Sequence, residues 1–164
     1  MEFCVFSKHF QTMGADELGR CLSDLGVAGV DLTVRPGGHV EPEKVKEELP
    51  RFQQTLAGHG IKVSMLTTSI TGADEPNAEA VIETAGKLGV QYIKLGYWRY
   101  GGFGTYRKLE AEVKAALKGL EPLLKEHGVR AGFHTHSGRC MGLNAEFALR
   151  LIEERDPEAI GLYY

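Results

Sequence analysis

The sequence predicts an α/β fold on an all-parallel sheet, and three observations predict it. First, four glycines recur in one setting: Leu25-Gly26-Val27, His59-Gly60-Ile61, Leu88-Gly89-Val90 and His127-Gly128-Val129. Each follows a stretch of helical periodicity and precedes a β-rich run. Glycine just past a helix end takes the left-handed conformation without Cβ strain, so each marks a helix stop and a strand start. Second, their spacings of 34, 29 and 39 residues each fit one strand-helix unit. Third, the alternation is strict, and it implies a parallel sheet with right-handed crossovers.

The elements follow in order. The first strand is expected at Phe3 to Ser7, growing directly out of Met1-Glu2, and the second at Gly29 to Val34. The third covers Lys62 to Thr67, the fourth Tyr92 to Leu95 and the fifth Arg130 to His134. A sixth runs from Ala159 to Tyr164. Helices are expected over 16–25, 42–59, 77–88, 105–127 and 144–154. The charged runs Glu43 to Glu48 and Lys108 to Lys114 carry i,i+4 pairs, as solvated helix faces do. Pro122 lies inside the fourth helix and is expected to kink or divide it.

Composition bounds the function. The 164 residues are 43% hydrophobic and 25% charged, enough for one globular domain over residues 1–164 with a single core. A net charge of -3 argues against a nucleic-acid partner held by bulk charge. No apolar run approaches the roughly 20 residues of a membrane span. Cys4, Cys21 and Cys140 are odd in number and lack pair-like spacing, so a reducing, cytoplasmic setting is expected. The composition is compatible with a homo-oligomer.

Two closures fit the alternation. An open doubly wound sheet suits this length; a (β/α)8 TIM barrel needs about 250 residues. The chain supplies five units and a sixth strand, and its apolar last residues, Gly161-Leu162-Tyr163-Tyr164, favour a barrel with its C-terminal units missing.

In such folds ligands bind at the C-terminal ends of the strands. His59 and His127 fall at helix ends and are expected to face the helix dipole. The other four histidines fall at strand ends. His9 follows strand one with Lys8, His39 follows strand two, and His134 and His136 close strand five. His134-Thr135-His136 places two imidazoles on one face of a strand, a spacing that lets both meet one ion. Cys140 is read as a small buried thiol rather than a third ligand. Strand two leads into Asp31-Leu32-Thr33-Val34-Arg35-Pro36-Gly37-Gly38-His39. There Arg35 and His39 suit an anionic or polyhydroxylated ligand, because Arg presents a planar fork of donors. After strand four, residues 96–107 hold the single Trp and three of the six Tyr among glycines. Tyr97 and Trp98 are expected to wall a sugar site or belong to a mobile lid.

Gly-Val-Asp-Leu-Thr-Val-Arg-Pro-Gly-Gly-His-Val-Glu-Pro-Glu at 29–43 and Gly-Phe-His-Thr-His-Ser-Gly at 132–138 resemble the xylose isomerase-like TIM barrels. That group takes in sugar phosphate isomerases and epimerases, inosose dehydratases, tagatose epimerases and, more distantly, endonuclease IV. The resemblance covers the whole chain and extends to Ile160-Gly161-Leu162-Tyr163-Tyr164, which is similar to the family's sixth strand. It implies a divalent ion (Mn, Mg, Co or Zn), held by two glutamates, an aspartate and a histidine, with further ligands beyond Tyr164. One glutamate commonly closes strand five, where this sequence has His134, as the inosose dehydratase-like branch does.

The expectation is a metal-dependent isomerase, epimerase or dehydratase of a small sugar or polyol. His134 and His136 would bind metal or relay a proton, Lys8, His9, Arg35 and His39 would contact substrate, and Tyr97 and Trp98 would wall the site. Two alternatives are an endonuclease IV-like zinc phosphoester hydrolase and a sugar-binding barrel without turnover.

Overall fold

A computed structural model describes residues 3–163. Its elements are β1 (Cys4–Phe6), α1 (Ala15–Asp24), β2 (Gly29–Val34), α2 (Val45–Gly58), β3 (Lys62–Thr68), α3 (Ala78–Lys87), β4 (Tyr92–Lys94), α4 (Tyr106–His127), β5 (Arg130–His134), α5 (Ala145–Ile152) and β6 (Ile160–Tyr163). The four punctuating glycines are left-handed, with φ of 70°, 76°, 72° and 64° at Gly26, Gly60, Gly89 and Gly128. Met1, Glu2 and the expected strand position Tyr164 lie outside the described residues. No helix among the described residues is long and apolar enough to cross a membrane.

The strands form one sheet in the order β1-β2-β3-β4-β5-β6, every pair parallel. Each strand lies beside its neighbour in sequence. A doubly wound sheet would reverse its order part-way, so this is barrel winding, and the chain forms part of a TIM barrel.

The core lies between the outer strand face and the helices. Val30, Leu32 and Val34 of β2 meet it, as do Leu18 and Leu22 of α1, Leu49 and Leu56 of α2, and Leu117, Leu120 and Leu124 of α4, all essentially inaccessible. The inner face carries Phe6, Asp31, Thr67, Lys94, His134 and Tyr163, together with the small Gly132 and Gly161. A Cβ on Gly132 would fall 2.8 Å from that of Tyr163 in the next strand.

One irregularity aims the site. The β2–β3 register shifts between Val30 and Asp31, so that Val30 pairs with Val63 and Asp31 with Met65. Val63 and Leu66, three apart, are both in the core. Strict alternation forbids that, and the bulge at Ser64 absorbs the extra residue. Thr67 is thereby turned onto the face of Asp31.

Three expectations are corrected. Strand one is shorter than Phe3 to Ser7, because Ser7–Phe10 turn into a 3-10 helix. There the buried Ser7 hydroxyl accepts a bond from the Thr33 amide at 3.0 Å. Pro122 does not divide its helix, and α4 is one element of 22 residues. The carbonyl that Pro122 leaves without a partner belongs to exposed Lys118, where water can reach it, and buried Leu117, Leu120 and Leu124 hold the helix on both sides. His59 and His127 do more than face a dipole. The His59 ring packs on Gly19 of α1 and bonds Asp16 at 2.9 Å, while the His127 carbonyl lies against Gly86 of α3.

Candidate functional site

A cavity of about 480 Å³ opens at the C-terminal ends of the strands. Phe6 and Lys8 come from β1 and its turn, Asp31 and Arg35 from β2, and Thr67 from β3. Lys94, Tyr97 and Arg99 come from β4 and its loop, His134 and His136 from β5, and Tyr163 from β6. Parallel winding brings these positions, scattered along the chain, to one rim.

Asp31 and Lys94 are its most deeply placed charged groups, 4% and 3% exposed. Asp31 Oδ2 accepts a bond from the Thr67 hydroxyl at 2.9 Å. Its Oδ1 is buried without a partner among the described residues. Burial pushes the Asp31 carboxyl up to about 6, against the opposing pull of Thr67, Lys94 and Arg35. The Lys94 ammonium lies 3.7 Å from the centre of the Tyr97 ring. Burial first, and the Arg35 charge second, bring Lys94 down to about 8.

The two strand-five histidines stand side by side, ring centres 6.2 Å apart, with Tyr97 against both. His134 Nδ1 lies 3.1 Å from the Tyr163 carbonyl, and His136 Nδ1 lies 2.8 Å from that of Ser137. A carbonyl only accepts, so each Nδ1 carries the proton and each Nε2 keeps a free lone pair, the tautomer a metal ligand needs. Burial, with smaller contributions from Lys94 and His136 and against the Tyr163 bond, holds His134 below the usual histidine range. The pair therefore offers two donors. Among the described residues no group of three or more His, Cys, Asp or Glu is gathered that could hold a metal ion. Cys140 is buried, its sulfur 3.9 Å from His136 Nδ1 rather than from the free nitrogen.

The remaining expected site residues divide. Lys8, Arg35 and Tyr97 reach the cavity. His9 does not line it; it is exposed, with its ring edge-on to Phe6. His39 is turned away. Its Nε2 donates to the Phe10 carbonyl at 3.1 Å, which leaves Nδ1 to accept from the Thr33 hydroxyl at 2.9 Å. Both ring nitrogens are spent on holding the β2 exit to the β1 turn. Trp98 does not wall the site either. It stacks on Phe133 at 5.5 Å with the planes 9° apart, part of the outer core. Nor is the whole loop a lid: Tyr100 N donates to Arg139 O and Met141 N to Trp98 O, both at 2.8 Å, tying it to the loop after β5. Only the tip projects, where Phe103 is fully exposed.

Sequence reasoning missed Thr67 and Lys94 as site residues and left Asp31 and Arg99 without a role. For Lys94 a signal existed: a lysine inside the apolar run Tyr92-Ile93-Lys94-Leu95. Thr67 carried none, because its face depends on the bulge.

A family profile, the xylose isomerase-like TIM barrel, matches residues 20–164. The chain belongs to that family. The probable 3-DHS dehydratase AsbF of Bacillus anthracis superposes with a TM-score of 0.76 at 14% identity, over 99% of this chain and 62% of that one. The IOLI protein, solved with a bound zinc atom, gives 0.76 at 16% identity, over 99% and 62%. The 3-keto-D-glucoside 4-epimerase YcjR of E. coli gives 0.75 at 15% identity, over 99% and 67%. The chain thus spans about 62% of the first two neighbours. At these identities they share the fold. No curated protein sequence matches the chain.

Proposed function

We propose that this protein is an isomerase, epimerase or dehydratase of a small sugar or polyol, one that moves a proton between neighbouring carbons beside a divalent ion. The observation that carries the reading is the rim cavity. It sets a buried carboxyl with one oxygen left open, a buried ammonium and two imidazoles with free Nε2 atoms around one space. Epimerases and dehydratases among the neighbours support the reaction class.

The roles follow from chemistry. Asp31, with a value near neutrality, is matched to accept a proton from substrate and to return it. Lys94 lies where it stabilises the negative charge that builds on a neighbouring oxygen as that proton leaves. Lys8 and Arg35 orient substrate oxygens, and Tyr97 forms the wall. His134 and His136 would hold the ion through Nε2, as two of its ligands; of the expected metals, imidazole suits zinc better than magnesium or manganese. Such an ion, when bound, polarises a substrate carbonyl or hydroxyl. Three free cysteines, Cys4, Cys21 and Cys140, support a cytoplasmic setting.

Two measurements test this. The protein, incubated in deuterium oxide with a panel of ketoses and cyclic polyol ketones, should place deuterium on the carbon next to the carbonyl, and Asp31→Asn should lower that rate about 100-fold or more. Exchange unchanged in Asp31→Asn removes Asp31 as the base. Separately, zinc titration should show tighter binding by the parent chain than by His134→Ala or His136→Ala, by about tenfold. Equal zinc affinity in all three ends the ligand assignment.

A further inference from the structure

The cavity reverses the sign of the molecule. The chain carries a net charge of -3, yet among the described residues this space faces four side-chain cations, Lys8, Arg35, Lys94 and Arg99, and one carboxylate, Asp31. None of the four forms an ion pair among the described residues. Of the fifteen other Lys and Arg, nine form ion pairs among the described residues, such as Lys46 with Glu83 at 2.8 Å, Lys125 with Asp156 at 2.6 Å and Arg155 with Glu121 at 2.6 Å.

Two of the four, Arg35 and Lys94, line one cavity, and Lys94 is the more deeply buried. Lys94 is 3% exposed, and a Tyr97 ring face is what its ammonium meets. Arg35 is near enough to disfavour the Lys94 charge further. Asp31 relieves them only in part. Its Oδ2 takes the Thr67 hydroxyl, its Oδ1 takes nothing, and it makes no ion pair with either cation. A buried ammonium without a carboxylate in ion-pair contact costs free energy, and a bound anion offsets that cost. A guanidinium fork beside an ammonium point charge suits the oxygens of a carboxylate or phosphate. The open Asp31 Oδ1 suits a hydroxyl.

We infer that this cavity takes an oxyanion-bearing polyol, with its carboxylate or phosphate seated between Arg35 and Lys94 and a hydroxyl donated to Asp31 Oδ1. The inference rests on reading the cavity as the substrate site, but not on the reaction performed there.

Calorimetric titration of the intact chain with glucose, gluconate, glucose 6-phosphate and inorganic phosphate tests it. At least one charged sugar should bind about tenfold or more tighter than glucose, with an advantage that shrinks as sodium chloride is raised. Preference for gluconate assigns a carboxylate, and preference for glucose 6-phosphate together with binding of inorganic phosphate assigns a phosphate. Arg35→Gln and Lys94→Met should each weaken binding of the charged sugar more than binding of glucose, erasing most of that advantage, and Lys94→Arg should retain it. Far-UV circular dichroism checks each variant, and Arg35→Gln at the half-exposed position carries the test if Lys94→Met does not fold. Equal binding of glucose and both charged sugars, absence of binding by every charged probe, or an advantage that survives in Arg35→Gln would overturn the inference. Charged preference without deuterium exchange at carbon would remove the proposed reaction and leave the anion seat. Exchange on neutral polyols without charged preference would do the reverse.

Discussion

Asp31 buries a carboxyl with one oxygen held by Thr67 and the other by nothing. Its value of about 6 in the folded chain stands above the 3.8 of an exposed aspartate, so the folded state binds this proton more tightly than the unfolded one. Its contribution to stability is therefore largest below pH ~4, falls as pH rises through about 6, and is level above that. Asp31→Asn keeps the Thr67 bond and removes the ionisation. It should gain about 1–3 kcal/mol at pH ~7.5 and little at pH ~4. Urea unfolding at the two pH values checks this, and an unchanged pH slope counts against it. Trp98 supplies the contrasting case. Its stacking on Phe133 makes it a packing residue. Trp98→Ala should cost about 2–4 kcal/mol by denaturant unfolding and leave sugar or phosphate binding within about twofold. A large binding loss at full stability would return Trp98 to the site.

Between elements, two interior helix glycines repeat one device. Gly19 of α1 faces the His59 ring at the end of α2, and Gly86 of α3 faces the His127 carbonyl at the end of α4. Alanine normally stabilises a helix interior by about 1 kcal/mol over glycine. Here a Cβ on Gly19 would lie 2.8 Å from His59 Cγ, and one on Gly86 would strike backbone. Gly86→Ala should thus destabilise more than Gly19→Ala, because a ring can rotate and a carbonyl on a packed helix end cannot. His59→Ala should rescue Gly19→Ala in a double-mutant cycle. Thermal unfolding of the four variants decides it; additive effects would show that helix and ring do not meet. The β3 bulge acts at the same scale. It carries one residue more than alternation permits, and Thr67 reaches Asp31 only because of it.

At the scale of the molecule, the sheet runs from β1 to β6, and those two strands are each paired on one side among the described residues. Closure removes the edges of a barrel; a partial barrel keeps them. The flank at α5 adds exposed apolar surface, with Leu143 at 55%, Phe147 at 41% and Leu149 at 52%. The 164-residue polypeptide produced alone should therefore self-associate or bind a hydrophobic dye. Light scattering and dye fluorescence measure this. A monomer that melts cooperatively and binds no dye would show that six strands are sufficient.

The sequence by itself determined the strand-helix alternation, because a glycine past a helix end is a local requirement, met at Gly26, Gly60, Gly89 and Gly128. It determined the rim positions of Lys8, Arg35, Tyr97, His134 and His136, because strand ends are local too. Only the tertiary structure decided which rim residues face inward. His39 spends both nitrogens on Thr33 and Phe10, contacts 6 and 29 residues away in the chain. Trp98 turns to the outer core to stack on Phe133. Lys94 reads as a charge in an apolar strand until parallel winding sets it beside Arg35 and Asp31. Periodicity reports which residues alternate. Which face becomes the interior, and what charge stands opposite, depends on contacts between strands that the chain order does not record.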